Sequence, residues 1–231
     1  MNREVMPPIK WICLLSVLII AVSGCQAVQS STWRTPGTGP SGVWASAGQA
    51  VSTRQLLGNT NFPAGRPVDF AAFKDRYRTV GTSPAGAVRM YFDAVYTYID
   101  PKRRAEGAKM LRYSLHEKQG WENFPSRQTF VSRLRNPAYH YIFRSFAEGT
   151  NPENSYAMDP DNYRLMFENA RQETDYVLVS IRSTGADNVR LVQVQQFEDG
   201  LWYMTGSSST YLEVRQPANQ RRAGGHDADL D

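Results

Sequence analysis

Four side chains in the chain could take up or release a proton at a reaction centre: Asp93, His116, His140 and Tyr96. A carboxylate or imidazole base opposite a hydroxyl that steadies an oxyanion is the minimum equipment of a proton-transfer site. Tyr98, Tyr139 and Tyr141 add further hydroxyl donors. The spacing also gives each base a plain role. Asp93 follows Phe92 in a helical pattern and falls on its solvent side. His116 stands in SLHEKQG, a polar, turn-like stretch, and is expected to be exposed. His140, in NPAYHYIFRSF, lies among aromatics, as a satisfied core or edge histidine would. No residue is assigned as catalytic on this ground, and the balance weighs against an enzyme.

Other chemistries lack their signatures. The three histidines, at 116, 140 and 226, are far apart in sequence, so no metal site is expected. GTGPSG, the nearest approach to a phosphate loop, has no strand before it, and there is no serine-nucleophile motif. No cofactor is expected. The formal net charge of +4 is a mild excess, far from a nucleic-acid footprint.

The amino terminus holds a sharper pattern. MNREVMPPIK is weakly basic, and the uncharged run from Trp11 to Val22 is too short to cross a bilayer, which takes about 20 apolar residues. A basic start, a short apolar core and then small residues read as a secretory signal. The two cysteines are Cys13, inside this leader, and Cys25, just after it. Loss of the leader would leave Cys25 with no disulfide partner in its own chain.

Val22-Ser23-Gly24-Cys25 resembles the lipobox of bacterial lipoproteins, with Val22 where that family prefers Leu. The resemblance implies a diacylglyceryl group on the Cys25 thiol, cleavage that removes residues 1–24, and a membrane as partner through that lipid. One acyl chain binds a bilayer only marginally, whereas two anchor it. Gln26 replaces the Asp that often marks inner-membrane retention, which favours the outer membrane if the organism has one. The expected location is the exported side of a bacterial cell envelope.

After the cysteine, residues 25–82 are rich in Ser, Thr, Gly and Pro, and are expected to be a flexible tether. VDFAAFKDRY, Val68 to Tyr77, could form a short helix with Phe70, Phe73 and Tyr77 on one side. The tail, residues 216–231, lacks an apolar pattern and is expected to be disordered. Between them, residues 83–215 form one domain.

Inside the domain the period changes once. Ser83 can cap a helix whose first turn holds Pro84 and whose apolar stripe is Val88, Tyr91, Phe92, Val95, Tyr98 and Ile99. A second helix is predicted over PKRRAEGAKMLRY, with Ala105, Ala108, Met110 and Leu111 inward. A third is predicted over PSRQTFVSRLRN, with Phe130 and Leu134 buried. Strands are predicted at 176–184 and on both sides of Glu198-Asp199-Gly200. Asn162 to Arg171 suits an earlier strand or a helix, and TYLEVR a last edge strand. Helices before an antiparallel sheet make an α+β fold.

The long opening helix and the closing DGLWYM hairpin are similar to the NTF2-like (cystatin-like) superfamily. That resemblance implies a curved sheet wrapped around helices as a cone, over about Ser83 to Val214, and fits residues 136–161 worst. Members include isomerases, dehydratases and binding modules, so the fold alone does not choose. The expected function is an envelope lipoprotein whose domain binds a protein partner or a small ligand. The alternative is a lipid-tethered isomerase or dehydratase with an Asp or His base in the cone. The basic residues Lys102, Arg103, Arg104, Lys109, Arg112, Arg127, Arg133 and Arg135 could face anionic lipid or wall polymer, or simply be a solvated helix face.

Overall fold

The computed structural model describes residues 51–221. The leader, Cys25, the first part of the expected tether and the last ten residues of the tail lie outside the described residues.

Three capped helices open the fold. Ser52 and Gln55 cap α1, Thr53–Leu57, reciprocally. Asp69 caps α2, Phe70–Val80, by accepting from the Ala72 amide. Ser83 accepts from Gly86 N at 3.2 Å and Pro84 occupies the first turn of α3, Pro84–Tyr98, as its sequence requires. Every residue of α3 is buried. It forms the axis of the molecule, packed by α2, by α4 (Arg104–Ser114) and by the sheet. α4 crosses α3 at Gly107, where a Cβ would overlap the backbone of Thr97 and Tyr98. Two 3₁₀ turns lead into α5, Gln128–Arg135, with Phe130, Val131 and Leu134 inward. A third precedes α6, His140–Arg144.

The sheet is an open antiparallel meander in the order β1-β2-β3-β4: Phe167–Gln172, Val177–Ile181, Arg190–Gln196 and Trp202–Gly206. Val177, Val179, Ile181, Val192 and Val194 point into the core, and Leu191 and Gln193 are exposed on the other face. This period-2 alternation sets the register: one residue of slip would turn the valines to water. Gly200, at φ 77°, closes the β3–β4 hairpin. The architecture is therefore α+β.

The folded unit begins well before Ser83, which corrects the expected tether boundary. Leu57, Phe73 and Tyr77 are buried in the main core. Tyr77 donates from Oη to the Trp202 carbonyl at 2.7 Å and stacks on Tyr203, while Trp202 N donates to the Gly81 carbonyl at 2.8 Å. Glu106 on α4 accepts from the Phe70 amide at 2.8 Å. Composition hid this because Phe70, Phe73 and Tyr77 stand in a polar neighbourhood. At the other end, Pro217 is buried and Ala218 N donates to the Pro152 carbonyl at 2.9 Å, so the first residues of the expected tail belong to the fold.

Three local readings also change. α4 starts at Arg104, and Ala105 is exposed, because its inward stripe is Gly107, Met110, Leu111 and Ser114. β1 starts only at Phe167, because Tyr163 and Leu165 are drawn onto α3 and Ala147. TYLEVR makes no strand. A 3₁₀ turn over Ser208–Tyr211 takes its place, with Thr210 Oγ1 donating to Ser207 O at 2.7 Å. Short hydroxyl side chains compete with ladder pairing in this way.

If α2 is part of the domain, Phe73→Ala should cost about 3–5 kcal/mol in urea denaturation. Arg78→Ala, on its wet side, should stay within about 0.5 kcal/mol. Two equally silent variants would mark α2 as part of a tether.

Candidate functional site

Only two of the fifteen residues of α3 are charged, Arg89 and Asp93, and they stand one turn apart. Since α3 has no wet face, both enter the core. Asp93 is 0% exposed and Arg89 2%. Arg89 Nε donates to Asp93 Oδ1 at 3.1 Å. Nη1 donates to the Tyr163 carbonyl at 2.8 Å, and the guanidinium lies 3.8 Å from the centre of the Tyr163 ring. Tyr163 closes the circuit by donating from Oη to Asp93 Oδ1 at 2.8 Å. A pair one turn apart and a tyrosine 70 residues beyond Asp93 thus form one knot.

Burial raises the Asp93 pKa above the ordinary carboxylate range. Arg89, Arg76 and the Tyr163 hydroxyl pull it back down. Arg76 reaches in from α2 while donating to the Gly65 and Pro63 carbonyls. The Tyr163 hydroxyl is pushed up, first by burial and then by the Asp93 charge, so it stays a donor.

The sequence placed Asp93 on a solvent side, and the structure corrects this. The amphipathic reading assumed that a helix with a stripe also has a polar face. The two lone charges, of opposite sign at i and i+4, were the signal that they pair with each other instead.

The other candidates are not brought to Asp93. The Tyr96 ring packs edge-on against Tyr163 at 4.8 Å, but its hydroxyl donates to the Phe143 carbonyl at 3.0 Å. His140 is a buried, satisfied histidine: Nε2 meets the Leu134 carbonyl at 2.9 Å, and burial lowers its pKa. His116 is exposed, its ring stacked on Phe197 at 4.0 Å and its backbone at φ 51°. Tyr98 donates to Glu122, and Tyr141 stacks on Tyr156. Among the described residues, no three His, Cys, Asp or Glu side chains converge as metal ligands, and no helix is long and apolar enough to cross a membrane.

Three recesses stand out, and residues of the knot line only the third. One of about 650 Å³ runs between residues 53–61 and 164–168, along the β1 edge. A second, of about 270 Å³, is floored by Tyr96, Ile99 and Met158 and flanked by Arg66 and Arg144. The third, of about 230 Å³, lies between residues 60–64 and 162–165 and reaches Arg89. Asp93 lines none of the three. Several cations of the basic helices are engaged: Lys109 pairs with Glu106, Arg127 with Glu117, Arg133 with Glu213 and Arg135 with Glu122, while Arg103 and Arg104 donate to the Pro67 and Tyr98 carbonyls.

A family model described as a domain of unknown function, DUF6935, matches residues 66–218, about two-thirds of the chain. The chain belongs to this family. Its span takes in α2, the whole knot and the sheet. No curated protein and no solved structure matches the chain.

Removing the hydroxyl in Tyr163→Phe deletes a hydrogen bond to a buried charge and should cost about 1.5–3 kcal/mol in chemical denaturation. The pH dependence has a definite sign. A carboxyl whose folded pKa is raised contributes stability that is complete below its unfolded pKa and is lost as pH rises through the folded one. The stability of the native protein relative to Asp93→Asn should therefore fall as pH rises from the ordinary aspartate pKa through the raised one. A difference that grows with pH would mean that the pair lowers the Asp93 pKa.

Proposed function

We propose that this protein is an exported lipoprotein held to the membrane by a diacylated Cys25, and that its domain, of the NTF2-like kind, is a binding module in an envelope assembly. Cys25 follows a short uncharged run and the small pair Ser23-Gly24, the arrangement a lipid-attachment site requires. The single α3 axis with a meander packed against it supports the NTF2-like assignment of the domain.

The observation that carries the binding reading is the state of the core. In it the fully buried carboxylate, Asp93, is engaged by Arg89 and Tyr163; Tyr163 forms part of the wall of the 230 Å³ recess, but Asp93 lines none of the three. Phe92, Tyr96 and Phe146 pack beside it, ring against ring. A general base must reach its substrate directly or through one water, and Asp93 at 0% exposure does not. The open recess along β1 is by contrast lined by Arg54, Arg164, Glu148 and Glu168, with Leu57, Leu165 and Phe167 between them. Mixed charge around apolar contacts is the make-up of a surface that recognises a partner. The isomerase or dehydratase alternative would need Asp93 to open to solvent.

Two measurements test this. Cys25→Ser should abolish metabolic fatty-acid labelling and release the protein from membranes; labelling that persists would sink the anchor. A photo-crosslinking residue at position 54, in the recess, should give a discrete adduct in intact cells, and one at position 78, on α2, should not. Equal adducts at both, or none at 54, would remove the binding module.

A further inference from the structure

Arg89 presents three guanidinium nitrogens, and protein acceptors take two: Nε meets Asp93 and Nη1 the Tyr163 carbonyl. Nη2 is buried and has no protein partner. A buried donor left unmatched costs about 1–3 kcal/mol, and more when it is charged. Such a group is rare enough in a native core to call for an acceptor. Arg89 also forms part of the lining of the 230 Å³ recess between residues 60–64 and 162–165.

The rest of that recess points to the same kind of ligand. Arg164 stands at its rim, 75% exposed at the side chain and loosely placed, with Nε 3.5 Å from Glu148. Asn61 and Asn162 supply carboxamides to the wall. No aspartate or glutamate lines it. The volume suits a ligand of a few heavy atoms: a water occupies about 30 Å³ of liquid, and drug-sized pockets begin near 300 Å³.

We propose that this recess binds a small carboxylate. One oxygen accepts from Arg89 Nη2 at the inner end, and Arg164 swings in from the rim to meet the other oxygen. Charge favours a singly charged anion over a doubly charged one. Asp93 is bound at Nε of the same guanidinium, balances part of its charge and keeps its own Oδ2 buried without a partner, so a phosphate dianion would meet a nearby negative charge that a singly charged anion meets only half as strongly. The two oxygens of a carboxylate also suit two separate donors, Arg89 Nη2 within and Arg164 at the rim. The site goes beyond the anchored-module reading and is independent of it, since Arg89 lies in the domain whatever holds residue 25.

The test uses the purified full chain with ¹⁵N-labelled arginine, observing the Arg89 Nε–Hε resonance assigned through its backbone. Sodium acetate is titrated at constant ionic strength against sodium chloride, with sodium phosphate as a third arm. Acetate should move the Arg89 signal saturably, and chloride should leave it in place. In Arg164→Ala, whose side chain is mostly solvent-exposed, the acetate affinity should fall about fivefold, the worth of roughly 1 kcal/mol. An Arg89 signal that stays still with acetate overturns the proposal. So does a shift that chloride reproduces, or one that Arg164→Ala leaves unchanged. A response to phosphate at least as strong as to acetate overturns the choice of a carboxylate. Fatty-acid labelling at Cys25 is a separate readout, so failure of the anchor and failure of this site are distinguishable.

Discussion

A charged pair placed on a helix that has no face in water must bring its own solvation, and the rest of the fold is arranged to provide it. Asp93 and Arg89 leave water together, and neither could do so alone: removing one partner of a buried pair typically costs about 3–5 kcal/mol. The two charges still need more acceptors and donors than they supply to each other. The Tyr163 carbonyl, hydroxyl and ring provide three contacts from a single residue. The segment carrying Tyr163 is thereby pinned across α3, and this fixes where β1 begins and how the sheet approaches the helix.

The same demand organises the surrounding loops. Asp161, two residues before Tyr163, binds Arg66, whose Nη1 also meets the Tyr96 carbonyl on α3 at 2.7 Å. Gly65 N donates to the Asp161 carbonyl at 2.5 Å, and Arg76 of α2 holds the Gly65 and Pro63 carbonyls. The stretch before α2 and the stretch before β1 are thus sewn to each other and to α3 by arginines donating to backbone oxygens. Arginine suits this task because its planar fork offers five fixed donors and keeps its charge when buried.

The sequence revealed the regular elements where local rules govern them. Ser83 with Pro84 marked the start of α3 and Gly200 the β3–β4 hairpin, whereas the third helix, read as starting at Pro125, begins at Gln128 after a 3₁₀ turn. The β-branched residues between Tyr176 and Thr184 marked a strand. It failed where partners distant in sequence decide. Asp93 looked solvent-facing because Tyr163 lies 70 residues on, and nothing local announces their meeting. The helix at Phe70 was seen, but its membership of the core depends on Tyr77 reaching Trp202 and on Glu106 reaching Phe70. His140 was legible, because aromatic neighbours on both sides already implied burial. The recess at Arg89 could not be read at all, since its walls come from two loops joined only in three dimensions.

The contact between α2 and the sheet carries one more consequence. Tyr77 Oη and the Gly81 carbonyl take both backbone groups of Trp202, at the start of β4. An arriving strand would have to displace them there, and along β1 it would meet the short α1, held in part by a Thr53–Asn169 side-chain bond. Each edge strand of the sheet is thus engaged by a helix that precedes α3, one way in which a fold keeps an exposed edge from templating a further strand.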